Sequence, residues 1–186
     1  IFSAALFLTV GVFGADRSLA HVRNAQALLG PEVWSQVIRI ENKKPSARHH
    51  RIVHALVFEL AQILWLYEPS EGTQSFSLHK GRLVEEKADF APLLHAIHPG
   101  FTRWSVVADS ATADENDGAV PNGCFIRSVV ALRDRVLAGG EAVRPHLLSY
   151  YINTSTGQQG HTVLAYEAGG QVEVIDVTQG GRRYNL

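Results

Sequence analysis

The chain has 186 residues, of which 46% are hydrophobic and 19% are charged. This length and apolar share are ample for one hydrophobic core, too small for two ordinary domains, and incompatible with intrinsic disorder. The 17 Lys and Arg side chains are balanced by 18 Asp and Glu side chains. The sequence therefore lacks the basic excess of a nucleic-acid surface, and we predict no nucleic-acid partner. The single cysteine excludes an intramolecular disulfide and a thiolate-only metal site.

The beginning of the chain differs in composition from the rest. Residues 1–14 carry no charged side chain, and the first charge comes at Asp16. This apolar segment is shorter than the roughly 20 residues of a membrane-spanning helix and has the length of a signal-peptide apolar region. We therefore expect residues 1–14 to be a signal-peptide remnant, residues 15–186 to form a single domain, and the protein to be exported to a periplasm or secreted. A buried first helix or strand is the alternative, and we predict no membrane span.

The next segments predict helices followed by a loop. Apolar residues at helical spacing predict a helix over residues 16–29, which Gly30 ends. Pro31 is typical of a first helical position and predicts a second short helix that runs to Ile38. The polar and basic residues 42–51 then predict a loop.

Strands are expected after that loop. Residues 53–67 are apolar and rich in β-branched and aromatic side chains, which predicts one buried strand. A turn over residues 69–72 is predicted to lead into a further strand over residues 73–78. The apolar spacing of residues 83–97 predicts a helix with a kink near Pro92.

A long polar segment leads to the only cysteine. Residues 110–123 are acidic and contain Gly and Pro, so they predict a surface loop, and residues 124–138 have the clearest helical pattern in the chain. Cys124 therefore lies at a helix start, where the unpaired N–H groups and the helix dipole stabilise a thiolate. An inert, buried cysteine is the alternative, and the acidic residues before it favour that alternative.

The closing part of the chain predicts a β-hairpin. Residues 161–167 and 172–177 have strand-like patterns and flank a Gly169-Gly170 pair, which is typical of a two-residue hairpin turn. Such a turn pairs Ala168 with Gln171 and fixes the register of both strands.

This register places two chemically active side chains together. His161 and Asp176 then project from the same face of the hairpin, as diagonal neighbours. Diagonal neighbours lie about 7 Å apart at the backbone, which a hydrogen bond between these two side chains can span. Cys124, His161 and Asp176 would thus supply a nucleophile, a base and a carboxylate that orients the base.

Three short motifs extend this pattern to a family resemblance. They are NGCF at residues 122–125, GHTVLAYE at residues 160–167 and VEVIDVT at residues 172–178. With these motifs the chain resembles the transglutaminase-like branch of the papain-like cysteine peptidase superfamily over residues 121–180, about a third of its length. The resemblance differs at Val163, where the family often has an aromatic residue, and at Val177, where a proline is common.

The resemblance implies a fold and a reaction. It implies an α+β fold in which an antiparallel sheet packs on a central helix with Cys124 at its N-terminus. It implies a Cys124–His161–Asp176 triad that hydrolyses peptide, isopeptide or amide bonds, or transfers the acyl group to an amine through a thioester. A peptide or protein substrate is expected. A catalytically inactive binding module of the cell envelope with the same fold is the alternative.

Other functional groups remain as weaker candidates. The backbone N–H of Cys124 is the predicted oxyanion donor, and a second donor is left open among Gln62, Gln74, Trp104, Gln158 and Gln159. The histidines His49, His50 and His54 allow a metal site in principle, but neighbouring arginines would repel a cation and the nearest carboxylates lie off their face. We therefore predict no metal and no cofactor. The sequence leaves the oligomeric state open.

Overall fold

The computed structural model describes residues 7–43, 51–61, 63–69, 76–79, 91, 94–95, 100–109, 118–121, 123–138, 143–155, 157–177 and 182–185. These residues form a mixed α+β structure with antiparallel sheets. The chain divides into two compact units, which are Ile1–Ala27 with Trp34–Pro121, and Leu28–Val33 with Asn122–Leu186. The single domain predicted for residues 15–186 stays a prediction.

The first helix begins earlier than the sequence pattern predicts. Helix α1 covers Phe7–Leu29 and ends where expected, because Gly30 adopts a φ of 76°, a conformation that favours glycine. Its buried residues include Leu19, Val22 and Leu29. None of the helices that the structure describes combines the length and the apolar character that a membrane crossing needs. A signal-peptide remnant and export of the protein stay predictions.

The second short helix predicted after Pro31 is wrong. Residues 31–33 form a turn, and strand β1 then covers Ser35–Asn42. This strand is hydrogen-bonded on both sides and is buried on both faces, as Val37 and Ile38 show. A strand buried on both faces loses the alternation of apolar and polar residues, so its apolar spacing can imitate that of a helix.

The remaining strands of the first unit complete a five-stranded sheet. They are β2 at Ile52–Leu60, β3 at Ile63–Tyr67, β4 at Phe76–His79 and β5 at Phe101–Val106. All neighbours are antiparallel, in the order β4-β3-β2-β1-β5. The strand pattern of residues 53–67 is confirmed, but the prediction of one strand is wrong. A tight turn with Ala61 at a φ of 54° divides it, and this turn lacks the Gly, Pro or Asn that would have predicted it.

Both faces of the sheet are covered at its inner strands β1 and β2. One face belongs to a core cluster composed of Ile38, Ile40, Val53, Ala55, Val57, Leu66, Leu94 and Phe101. On the other face, the buried Ser18 hydroxyl of α1 lies 2.9 Å from Nδ1 of the buried His54 on β2. The predicted loop at residues 42–51, the helix at 83–97 and the loop at 110–123 fall largely outside the described residues, although residues 91, 94 and 95 are helical.

The second unit contains the cysteine helix and a four-stranded sheet. Helix α2 covers Gly123–Leu137, within one residue at each end of the prediction. The strands are β6 at Val143–Thr154, β7 at Gly157–Ala168, β8 at Gln171–Asp176 and β9 at Arg182–Asn185. They are antiparallel in the order β6-β7-β8-β9, and the helix packs chiefly on β7. The sequence pattern had indicated only β7 and β8 of this sheet.

The turn between β7 and β8 has the predicted geometry. Gly169 and Gly170 have φ values of 58° and 77°, as a type I′ hairpin turn requires. Ala168 pairs with Gln171, and the same register continues without a shift to the pair Leu164 and Ile175. The hairpin prediction is confirmed, and this register determines which side chains share each face of the sheet.

Candidate functional site

His161 and Asp176 form a buried pair on one face of the second sheet. Nε2 of the imidazole lies 3.0 Å from Oδ2 of the carboxylate. The side chains are only 10% and 7% exposed. The prediction that the two residues share a face and meet is confirmed, because the uniform register of β7 and β8 makes them diagonal neighbours.

The hydrogen bond to Asp176 gives the two ring nitrogens of His161 different roles. Because Asp176 uses Nε2 of His161, Nδ1 is the nitrogen through which this imidazole would exchange a proton with a reacting group. A carboxylate on one ring nitrogen favours the tautomer with the proton on that nitrogen and fixes the orientation of the ring. Burial strengthens this interaction, because few water molecules compete for the same atoms.

The strands around the pair hold it in a rigid part of the sheet. Both β7 and β8 are interior strands. On the β6 side, Tyr150 pairs directly with His161, and its ring packs edge-to-face on the imidazole with centroids 5.2 Å apart. Sites that regular elements hold are more precise than sites on loops, so this environment suits a base that must keep one orientation.

Cys124 lies at the start of helix α2, as predicted. It is the second residue of the helix, its side chain is half-buried, and its thiol is free. The next two residues, Phe125 and Ile126, are buried and anchor the first turn.

The structure brings His161 and Asp176 together but does not join Cys124 to them. Among the described side chains, no hydrogen bond links the Cys124 thiol to His161 or Asp176. The structure thus shows the His–Asp pair and a free thiol at the helix start, and the triad of the three residues stays a prediction.

The far end of helix α2 shows which face of the sheet it contacts. The Arg135 guanidinium lies 4.6 Å from the centre of the Tyr166 ring and 3.5 Å from Glu173. The Tyr166 hydroxyl donates a hydrogen bond of 2.6 Å to Glu173. Tyr166 is five residues from His161 on the same strand, so the two side chains point to opposite faces. The last turn of α2 thus contacts the face opposite to the His–Asp pair, a placement that the sequence did not predict.

The weaker candidates are the possible second oxyanion donors and the three histidines considered for a metal. Four of the candidates for a second oxyanion donor are not described: Gln62, Gln74 and the side chains of Gln158 and Gln159 on β7. The fifth, Trp104, packs at the margin of the core of the first unit. Of the three histidines considered for a metal, His54 contacts Ser18, and His49 and His50 lie outside the described residues. The described part of the chain contains no cluster of three His, Cys, Asp or Glu side chains suited to a metal ion.

Comparisons with known proteins add no further constraint on this site. No family model, curated protein or solved structure matches the chain. The buried His161–Asp176 hydrogen bond and the thiol at the start of α2 are therefore the features that bear on function.

Proposed function

We propose that the second unit is a thiol-dependent acyl-transfer domain that uses Cys124, His161 and Asp176. The observation that carries this proposal is the buried 3.0 Å hydrogen bond between His161 and Asp176. A carboxylate held on one imidazole nitrogen is the arrangement that prepares the other nitrogen for proton transfer. The placement of the only cysteine at a helix N-terminus is the second support, because reactive cysteines in proteins often occupy this position.

The reaction would proceed in two steps. The Cys124 thiol transfers its proton to Nδ1 of His161, and the sulfur attacks the substrate carbonyl carbon to form a tetrahedral oxyanion. The oxyanion collapses to a thioester as the bond to the leaving amine breaks, and that amine takes the proton from His161. Water or a second amine, deprotonated by His161, then attacks the thioester and releases Cys124. The backbone N–H of Cys124 would donate to the oxyanion.

The family assignment belongs to the same proposal. A cysteine at the start of a helix, followed by a histidine and an aspartate on adjacent antiparallel strands, supports a transglutaminase-like fold. With that fold we propose hydrolysis of peptide, isopeptide or amide bonds, or transfer to an amine, with a peptide or protein substrate. Export of the protein is proposed from the uncharged residues 1–14.

A binding module without catalytic activity is the second candidate. Two observations favour it, namely the missing hydrogen bond between Cys124 and His161, and the contact of Arg135 with the opposite face of the sheet. In such a module the thiol would be unused, and the His161–Asp176 pair would only stabilise the sheet. Hydrogen bonds between catalytic residues are often long when no substrate is bound, so the missing Cys124–His161 hydrogen bond does not exclude acyl transfer. A chemical test is therefore needed to separate the two candidates.

Thiol reactivity separates the two candidates. Because the chain has one cysteine, iodoacetamide labelling followed by intact-mass measurement reports on Cys124 alone. The acyl-transfer proposal expects fast labelling of the folded protein at neutral and mildly acidic pH, and slower labelling of His161→Ala. His146→Ala is the matched control, since His146 is an exposed histidine on β6. Labelling that becomes fast only on unfolding would favour the binding module.

The covalent intermediate provides a direct test of the reaction. The purified protein is incubated with a panel of peptide amides and isopeptides, with and without hydroxylamine as an acceptor amine. Acyl transfer expects a transient acyl mass on the protein, trapped at low pH, and a hydroxamate product. Neither should form with Cys124→Ala. An equal product yield from Cys124→Ala would overturn the assignment of Cys124 as the nucleophile.

A further inference from the structure

Tyr150 is an aromatic residue that contacts His161, the proposed base. Tyr150 lies on β6 directly opposite His161 in the strand register. The two rings are nearly perpendicular, at 84°, with centroids 5.2 Å apart. This distance and angle are those of a favourable edge-to-face contact.

The imidazole of His161 is contacted from both strands that flank β7. Asp176 on β8 contacts it through Nε2, and Tyr150 on β6 contacts it through its ring. The hydrogen bond restrains one ring atom, and the edge-to-face contact from the opposite neighbouring strand restrains the ring as a whole. Contacts from both sides limit rotation of the ring and so contribute to the direction of Nδ1.

The exposed fractions of the two side chains also favour a role for Tyr150 at the imidazole. His161 is buried, whereas Tyr150 is 44% exposed. The Tyr150 ring therefore separates part of the imidazole from solvent while its own outer part faces water. Excluding water from a hydrogen bond to a carboxylate strengthens that bond.

We propose that Tyr150 is a positioning residue for His161, whose ring orients the imidazole and keeps water from the His161–Asp176 hydrogen bond. The inference rests on the proposed function, because proton transfer to and from a thiol requires a fixed Nδ1. The aromatic ring performs this role, so Tyr150→Phe should preserve it and Tyr150→Ala should remove it.

Proton NMR of the imidazole tests the inference without any substrate. The Nε2 proton of His161 should give a resonance far downfield that exchanges slowly with water, because it is buried between His161 and Asp176. Tyr150→Ala should accelerate this exchange and broaden the signal, and Tyr150→Phe should restore it. Tyr151→Ala is the matched control, because Tyr151 is the next residue on β6, is 75% exposed and pairs with Gly160 instead.

Kinetics give the second measurement. Tyr150→Ala should lower kcat for acyl transfer by about three- to tenfold, which corresponds to the loss of one edge-to-face aromatic contact. KM should change little, because the ring acts on the base and not on the bound substrate. Tyr150→Phe should recover most of kcat, and Tyr151→Ala should match the unaltered protein.

The outcomes separate this inference from the proposed function. Rapid exchange of the Nε2 proton in the unaltered protein, or equal exchange in Tyr150→Ala, would overturn the positioning role. If Tyr150→Ala does not fold, Tyr150→Leu replaces the ring with an apolar side chain and is judged by the same exchange criterion. Slow thiol labelling of the unaltered protein would contradict the proposed function, while the exchange measurement would still decide the role of Tyr150.

Discussion

Nε2 of His161 lies 3.0 Å from Oδ2 of Asp176, and the two side chains are only 10% and 7% exposed. The contact follows from a local cause, the two-residue glycine turn that brings β7 and β8 into register. A buried pair of this kind affects both stability and chemistry, and the two effects can be measured separately.

The first prediction concerns the charge of Asp176. Asp176→Asn preserves the size of the side chain but removes the negative charge beside the imidazole, and it favours the wrong imidazole tautomer when its amide NH₂ faces the ring. In a Ser–His–Asp triad such a change costs about 10⁴-fold in kcat. Because a thiol ionises more readily than a hydroxyl, we expect a smaller loss here, with a native circular dichroism spectrum. Full activity in Asp176→Asn would exclude a catalytic role for the pair.

The second prediction concerns a buried hydroxyl on helix α2. Ser128 is completely buried, and its Oγ has no hydrogen-bond partner among the described residues. Ser128→Ala removes an unsatisfied polar atom and introduces a better helix former, so we expect a gain of about 1 kcal/mol in the free energy of unfolding. Urea denaturation measures this change. Ser128→Val, which adds volume at the same position, should destabilise the protein. A loss of stability in Ser128→Ala would mean that the hydroxyl has a partner.

The third prediction concerns the pH dependence of stability in the first unit. The hydrogen bond from the Arg103 guanidinium, with a further contribution from Arg39, holds the pKa of Glu41 below its ordinary value of 4.5. A carboxyl group with a lowered pKa in the folded state makes its full contribution to stability at pH values above the pKa that the same group has in the unfolded chain. This contribution is lost as the pH falls through the folded pKa.

The urea midpoint should therefore decrease as the pH falls below about 4.5, and Glu41→Gln should make that decrease smaller. Added salt should weaken the effect, because Arg103 is largely exposed. Glu32→Gln is the control, since Glu32 is an exposed carboxylate outside this cluster. Identical pH profiles for Glu41→Gln and the unaltered protein would contradict the prediction.

The fourth prediction concerns the turn that fixes the hairpin register. A Cβ atom at Gly169 or Gly170 would meet no other atom within 4 Å, so the cost of Ala at either position is conformational. Both residues have positive φ, which costs an L-residue roughly 1–2 kcal/mol. Gly169→Ala should lower the free energy of unfolding by about this amount. Gly169→Asn should lower it less, because Asn tolerates this conformation. Equal stability of the two variants would contradict the turn assignment.

The sequence predicts local features of this protein better than distant ones. The Gly169-Gly170 turn determines the β7–β8 register within a few residues, so the meeting of His161 and Asp176 could be predicted. Helix α2 could be predicted from its apolar stripe. Strand β1 could not, because its pairing with two strands hides the alternation of side chains. The contact of α2 with the sheet depends on packing between distant segments, and no local pattern indicates it.

The carboxylates of Glu173 and Asp176 lie three residues apart on strand β8 and point to opposite faces of the sheet, and this has a thermodynamic consequence. Glu173 contacts Arg135 at the end of helix α2 and Asp176 contacts His161, so these two contacts of the carboxylates involve different partners. Substitutions at separate sites without shared partners have additive effects on stability. A double-mutant cycle on Glu173→Gln and Asp176→Asn should therefore give a coupling energy near zero. The attachment of the helix and the chemistry of the pair can accordingly vary independently in this sheet.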